Sequence, residues 1–275
     1  MAYIYINLNI FKIFLQKRNK FEINQNKLYN KFEEKNMTSF IIKLIAIVSM
    51  TLDHVGNLIL RRFTFLNILG RIAFPLFAFQ TCLGYENTKN LKKYIIRLLI
   101  FGLISEIPYY LMINSFSNQA IAINVLFTML AGIIAMYIWD MKLDKKKEKY
   151  DKLFILAKLI TIIGILLIVE LLHFDYGAGG VLLILLTHIL YNKGKYKHLF
   201  YIISFILFAI IKHTQYIGLL ETKIIISLIL FTVISLLIIL LYNKKSGPNK
   251  FKYLFYAYYP LHITILLIMS RFMFL

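Results

Sequence analysis

The sequence predicts an all-α fold, a polytopic integral membrane bundle of about nine transmembrane helices with a cytoplasmic N-terminus, and three observations carry that prediction. Hydrophobic residues make up 60% of the chain and the mean hydropathy is +0.70, so a water-soluble domain of 275 residues would lack the polar surface to cover its core. Apolar runs of about 17–25 residues, each able to cross roughly 30 Å of hydrocarbon, recur along the chain. Such runs mean helices, because an open sheet edge in lipid leaves backbone groups unpaired. Finally, the formal charge of +19 sits in short segments between the runs. A nucleic-acid binder gathers its charge on a soluble face, so the charge here reads as topology, with the lipid bilayer and not nucleic acid as partner.

Taken in order, residues 1–36 mix aromatics with Asn and Lys behind a short apolar start and show no small-residue cleavage site. They read as a basic surface helix or tail rather than a signal peptide, with Met37 as a second candidate start and 37–275 as one membrane domain. Spans are expected near 38–60, 64–86, 92–113, 120–140, 153–173, 178–191, 198–212, 222–242 and 252–274, the sixth and seventh being short. Thr38 or Ser39 is placed to N-cap the first. Alternate connections are rich in Lys and Arg: Lys12 to Lys35, Lys89 to Arg97, Lys142 to Lys152, Lys193 to Lys197 and Lys244 to Lys252. The opposite side carries chiefly Arg61, Arg62, Lys212 and Lys223. The positive-inside rule therefore puts the N-terminus inside and the C-terminus outside. The single cysteine, Cys82, excludes an intrachain disulfide and a metal centre built from cysteines alone, and reads as a small packing residue.

Charges inside such spans cost at least about 2.5–3.5 kcal/mol each at mid-bilayer, so they face the bundle interior and pair or act. Asp53 and His54 stand together in the outer half of span one. A neutral imidazole there accepts a proton from a hydroxyl or amine, and a nearby carboxylate holds its tautomer and stabilises the imidazolium; a buried histidine bonded to a neighbouring helix is the bland alternative. Arg71 lies in span two ahead of Pro75, whose missing N–H breaks the helical ladder beside a cavity, and it serves either to hold an anion or to neutralise Asp53 or Glu106. Glu106 and Pro108 repeat the theme in span three. Asn124 and Thr128 share a face of span four, as ligand contacts or as helix-to-helix glue. Glu170, His173 and Asp175, leading into Tyr176 and Gly177, have donor types suited to a metal but no fourth ligand, so no metal is expected. His262 follows Tyr258-Tyr259-Pro260-Leu261 near the start of span nine, while His188 and His213 stand alone and read as structural. No phosphate loop, HExxH or nucleophile elbow occurs.

With these segments assembled, the chain resembles the TraX family. The resemblance rests on Lys43 to Ile47 leading to Asp53-His54-Val55-Gly56, on Gly70-Arg71-Ile72-Ala73-Phe74-Pro75-Leu76-Phe77-Ala78-Phe79, on Gly84-Tyr85 and Thr88, and on Tyr94 to Arg97. It continues through Ser105 to Pro108, Asn124 to Gly132, Asp175-Tyr176-Gly177 and Tyr259-Pro260-Leu261-His262, and so runs in order from about residue 38 to 264. It implies a membrane-bound acetyltransferase drawing on cytoplasmic acetyl-CoA, with His54 as general base and Asp53 and Arg71 completing the reaction centre. Glu106, Asn124, Asp175, Tyr176 and His262 are then implied in substrate or donor binding. Arg71 and Asn124 are candidates for the oxyanion, and the basic loops for the CoA phosphates. The implied acceptor is a peptide or pilin N-terminus or a cell-surface glycan, and oligomeric state stays open. The alternative is a proton-coupled transporter using Asp53, His54, Arg71 and Glu106 as a relay, although the sequence shows no inverted repeat.

Overall fold

The computed structural model describes residues 37–61, 65–116, 122–143, 151–191, 202–206, 208, 222–248 and 252–273. Helix α1 spans Ser39–Leu58, and the Thr38 side chain caps it, accepting from the Ile41 N–H at 3.4 Å. The second expected span is two helices, α2 (Phe65–Gly70) and α3 (Ala73–Asn87), joined by a turn at Arg71 and Ile72. Pro75 therefore does not break the span. It is the third residue of α3, in a first turn whose N–H groups have no intrahelical acceptor anyway, and the break falls upstream at Arg71. Helix α4 (Leu91–Phe116) runs through Pro108, and α5 (Val125–Asp140), α6 (Asp151–Leu171) and α7 (Gly177–Tyr191) follow. Helices α8 (Thr222–Leu240) and α9 (Lys252–Met273) complete the described set, α9 with Pro260 inside it.

Among the described residues, six helical segments are long and apolar enough to cross a membrane: Ser39–Leu58, Phe65–Asn87, Leu91–Ser115, Asp151–Leu171, Thr222–Leu240 and Tyr253–Met273. Val125–Asp140 and Gly177–Leu190 are apolar but shorter. Most of the expected 198–212 span lies outside the described residues, and the described part of it, 202–206 and 208, is helical.

The packing is that of a protein dissolved in lipid. Large apolar side chains point outward, with Ile107 72%, Leu171 75% and Phe272 77% exposed, while Ser49, His54, Asn67, Gln80, Thr128, Ser235 and His262 are buried. The α2–α3 segment is the axis: 72% of its apolar window is buried, against 11% for α6 at the rim, and α3 packs on α1, α5, α7 and α8. Chain ends of the helices are tied off at both faces. On the basic face the strand-like segment after α8 binds the start of α1, Met37 N–H to Leu241 O at 2.8 Å, Ser39 N–H to Lys245 O at 2.9 Å and Phe40 N–H to Ser246 O at 3.1 Å. These bonds satisfy donors that a helix start leaves open. On the opposite face, Ile123 exchanges backbone bonds with the 173–175 turn.

Gly70 sets how closely α2 approaches α1, because a Cβ placed there would lie 2.4 Å from the Asp53 Cβ. A Cβ at Gly164, in α6, would meet nothing within 4 Å. We expect Gly70→Ala to destabilise by about 1–3 kcal/mol through overpacking, and Gly164→Ala to be neutral or slightly stabilising. Thermal unfolding of the two variants in one detergent tests the contrast, and equal shifts would overturn it.

Candidate functional site

His54 projects from α1, buried, and its Nδ1 lies 2.8 Å from Nε2 of His262 on α9. The two rings are within 3° of parallel, with centroids 5.0 Å apart. Parallel rings whose nitrogens approach to 2.8 Å cannot overlap face to face, since their planes would be closer than van der Waals contact, so they lie end to end in a hydrogen bond. The direction of that bond follows from its far end. His262 Nδ1 lies 2.7 Å from the Tyr258 carbonyl oxygen, which only accepts, so Nδ1 carries the proton. With His262 neutral, its Nε2 is then an acceptor, His54 Nδ1–H donates to it, and His54 Nε2 keeps an open lone pair. Among the described residues that nitrogen has no hydrogen-bond partner. Tyr258 supports the pair a second way: its ring stacks on His262 at 4.9 Å, and its hydroxyl donates to Thr51 Oγ1 at 2.7 Å, the Thr51 hydroxyl being turned to Ile47 O.

Asp53 faces the other neighbour. Its Oδ1 accepts from Arg71 at 2.5 Å and from Asn67 Nδ2 at 3.1 Å. Arg71 also donates through Nε to the Asn67 carbonyl at 3.0 Å, and Asn67 Nδ2 reaches Asn57 Oδ1 at 2.7 Å. The helix break at Arg71 is thus pinned to α1 by an ion pair and an amide hub. The carboxylate that the sequence reading assigns to holding the His54 tautomer is committed to Arg71 instead; a second histidine holds it. His262 is also not near the start of its span but mid-helix, level with His54.

Two cavities meet beside this pair. The smaller, about 140 Å³, is walled by Asp53, His54, Asn57, Arg71, Tyr109, Asp175 and Tyr176. The larger, about 710 Å³, opens toward the basic face, with Lys43, Arg97 and Lys244 as its charged residues and Tyr94, Phe255 and Tyr256 among its rings. Met50, Phe77, Val125 and Tyr259 line both cavities and form the waist between them. Arg97 lies over Tyr94 and Tyr256, 5.9 Å from each ring centre, and its Nε is buried with no hydrogen-bond partner. A cavity whose described wall carries three cations and no acid suits an anion with a flat, apolar portion.

Other sequence candidates sort by these walls. Asp175 and Tyr176 stand on the small cavity, where Tyr176 adopts a left-handed φ of 64°, continued by Gly177 at 52°, and stacks on Phe74 at 3.7 Å. The Asp175 carbonyl accepts from the Thr128 hydroxyl. Glu106 and Asn124 line neither cavity. Asn124 is the N-cap of α5, accepting from Leu126 N–H at 3.0 Å, and its amide donates to Gly102 O at 2.8 Å and Glu106 Oε2 at 2.5 Å. With both amide hydrogens used, Asn124 has none for an oxyanion. Glu170 accepts from Ala178 N–H at the start of α7 at 3.0 Å, and His173 is exposed with a φ of 52°. His213 lies outside the described residues. His188, read as standing alone, is not alone: it meets Glu86 and Asp140. Asn57 and Asn67, which the sequence reading passed over, belong to the site; Asn57 sits three residues after His54, one turn on along the same face.

Comparison with known proteins agrees with the geometry in extent. A family model described as "TraX protein" matches residues 39–270. The "Probable fimbrial assembly protein FimC, serogroup H1" of Dichelobacter nodosus is 27% identical over 244 residues, 84% of this chain and 95% of that protein. The "Uncharacterized protein RP591" of Rickettsia prowazekii (strain Madrid E) is 31% identical over 93 residues, 33% of this chain and 36% of that one. No solved structure matches.

Because Asp53 and Arg71 are each only 16% exposed, removing either partner strands the other. Arg71→Leu or Asp53→Leu alone is expected to cost about 3–5 kcal/mol, and the double variant distinctly less than the sum. A double-mutant cycle of thermal unfolding measures this, and strict additivity would show that the pair is not coupled.

Proposed function

The chain belongs to the TraX family, matched over residues 39–270, and on that premise we propose that it is an integral membrane acetyltransferase. In this reading it moves an acetyl group from acetyl-CoA, bound on the basic and therefore cytoplasmic side, to an amine or hydroxyl acceptor on the other. The observation that carries the proposal is the waist: Met50, Phe77, Val125 and Tyr259 separate a large cationic, ring-lined cavity from a small polar one that holds His54. CoA pairs a phosphorylated adenosine with a long arm ending in the thioester. Lys43, Arg97 and Lys244 suit its phosphates, the tyrosines and phenylalanines its base, and an apolar waist its thioester end.

The chemistry then follows from proton positions. His54 Nε2 takes a proton from the acceptor as its nitrogen or oxygen attacks the thioester carbonyl. The imidazolium so formed keeps its Nδ1–H on His262 Nε2, so the charge develops on a ring already held by an acceptor. Arg71 and Asn57, on the same wall, are the donors nearest the developing oxyanion. Collapse breaks the carbon–sulfur bond, and the leaving thiolate recovers the proton from His54, giving acetylated acceptor and free CoA. About 140 Å³ accommodates the end of a chain rather than a folded domain. Together with a relative named for fimbrial assembly, that favours the N-terminal residue of a pilin-type peptide over a bulky glycan.

The test is transfer of radiolabel from acetyl-CoA by purified protein in nanodiscs, to a short peptide bearing a free N-terminus. His54→Ala is expected to lower the rate by on the order of 10²–10⁴. His262→Leu is expected to follow it at about 10², whereas His262→Gln, whose amide oxygen reaches the place of Nε2, retains much of the rate. Arg97→Ala is expected to raise the KM for acetyl-CoA with little change in kcat, since it holds a remote part of the donor. Absence of donor binding to the wild-type protein would overturn the enzyme reading. Substrate-driven proton uptake into proteoliposomes without CoA would put a proton-coupled carrier in its place.

A further inference from the structure

A second cluster of chemistry-bearing side chains lies at the basic end of the bundle, made of residues that line neither cavity. Cys82 and Glu86 stand four apart on α3, hence on one face, and His188 reaches them from α7. Their ligand atoms, Cys82 Sγ, a Glu86 carboxylate oxygen and a His188 ring nitrogen, all lie within 4.8 Å of one another. Asp140, the last residue of α5, takes the far side of the imidazole, with Oδ1 2.9 Å from His188 Nε2, and Tyr85 donates to its Oδ2 at 2.9 Å.

Proton positions make the near side unusual. Asp140 accepts, so His188 Nε2 carries the hydrogen, and in a neutral ring Nδ1 is a bare lone pair. That nitrogen is 2.7 Å from Glu86 Oε1, yet it is buried and has no hydrogen-bond partner, because the approach lacks hydrogen-bond geometry. Two lone pairs do not rest 2.7 Å apart unless a cation, either a proton on Nδ1 or a metal ion, lies between or beside them. The His188 side chain is 8% exposed, and the fully buried Cys82 brings a sulfur to the same point.

We propose that Cys82, Glu86 and His188 form a zinc site with Asp140 as its outer support. Thiolate, carboxylate and imidazole are the donor types zinc takes, and i and i+4 on one helix with a third ligand from another is a spacing that closes on one ion. Asp140 holding the Nε2–H of a ligating histidine is the usual outer contact of such sites, and Tyr85 in turn holds Asp140. On binding, Cys82 releases one proton to solvent and ligates as thiolate, His188 supplies the Nδ1 lone pair and Glu86 one oxygen, with a water completing the tetrahedron. Bonds of about 2.0–2.3 Å require the widest ligand pair to close by roughly 1 Å, within side-chain adjustment. The site joins α3, the axis of the bundle, to α7.

The test uses full-length protein purified in detergent through a tag without histidine, stripped with chelator and titrated with Co²⁺, then with Zn²⁺. Wild type is expected to bind one equivalent with a thiolate-to-cobalt charge-transfer absorption that Zn²⁺ abolishes, and to unfold at a higher temperature when loaded. Cys82→Ser is expected to lose the absorption and Glu86→Gln to weaken binding. Asp140→Asn should keep the stoichiometry with an affinity about 10–100-fold lower, and His173→Ala should behave as wild type. Monodisperse wild-type protein that binds no Co²⁺, or an absorption retained in Cys82→Ser, overturns the proposal and leaves a protonated His188 between two carboxylates.

Discussion

Everything at the candidate site is arranged around the Asp53–Arg71 contact at 2.5 Å. Arg71 occupies a gap in the helical ladder between α2 and α3, and in a bilayer such a gap is tolerated only where it is buried in protein or lines a cavity. The ion pair, with Asn67 bonded to Asp53, Asn57 and Arg71, secures the gap to α1. Because Asp53 is thereby turned toward α2, the next residue along, His54, about 100° around the helix, is turned toward α9 and meets His262. One residue of register in α1 thus separates the structural charge from the titratable group.

The helices themselves were legible because a membrane span is a one-dimensional signal: length and hydropathy alone decide it. Ser39–Leu58, Thr222–Leu240 and the segment ending at Met273 fall within a few residues of their expected bounds for that reason. The interruptions were less legible. Pro75 looked like the break, but a proline in a first turn removes no hydrogen bond, whereas the Gly70–Arg71 step carries no rule that marks it in sequence. The sequence places Asn124 inside span four on one face with Thr128, and only its extended ψ of 160° shows that it stands outside α5 as its cap.

Site residues divide by the same criterion. Asp53, His54 and Arg71 stood out because a charge in an apolar run is anomalous wherever it sits. His262 stands out too, as a candidate for binding, but its pairing with His54 does not, because the two lie 208 residues apart and nothing local to His262 fixes which helix it faces. His188 was passed over for the same reason, its two carboxylates coming from α3 and α5. Pairing between helices is settled by packing, and packing is where a single sequence carries least information.

The thinness of the waist has an electrical consequence. With water filling the two cavities from opposite sides, the transmembrane voltage would fall mostly across the partition between them, marked by the shared lining residues Met50, Phe77, Val125 and Tyr259. An acetyl group is neutral and crosses such a layer without sensing the voltage. In the proposed reaction the proton that His54 takes from the acceptor and returns to the CoA sulfur carries charge, and it travels inward, down a potential that is negative inside. Each charge moved across the full field is worth about 2.3 kcal/mol per 100 mV. In the proposed reaction an energised membrane therefore draws acetylation forward, and a depolarised one slackens it.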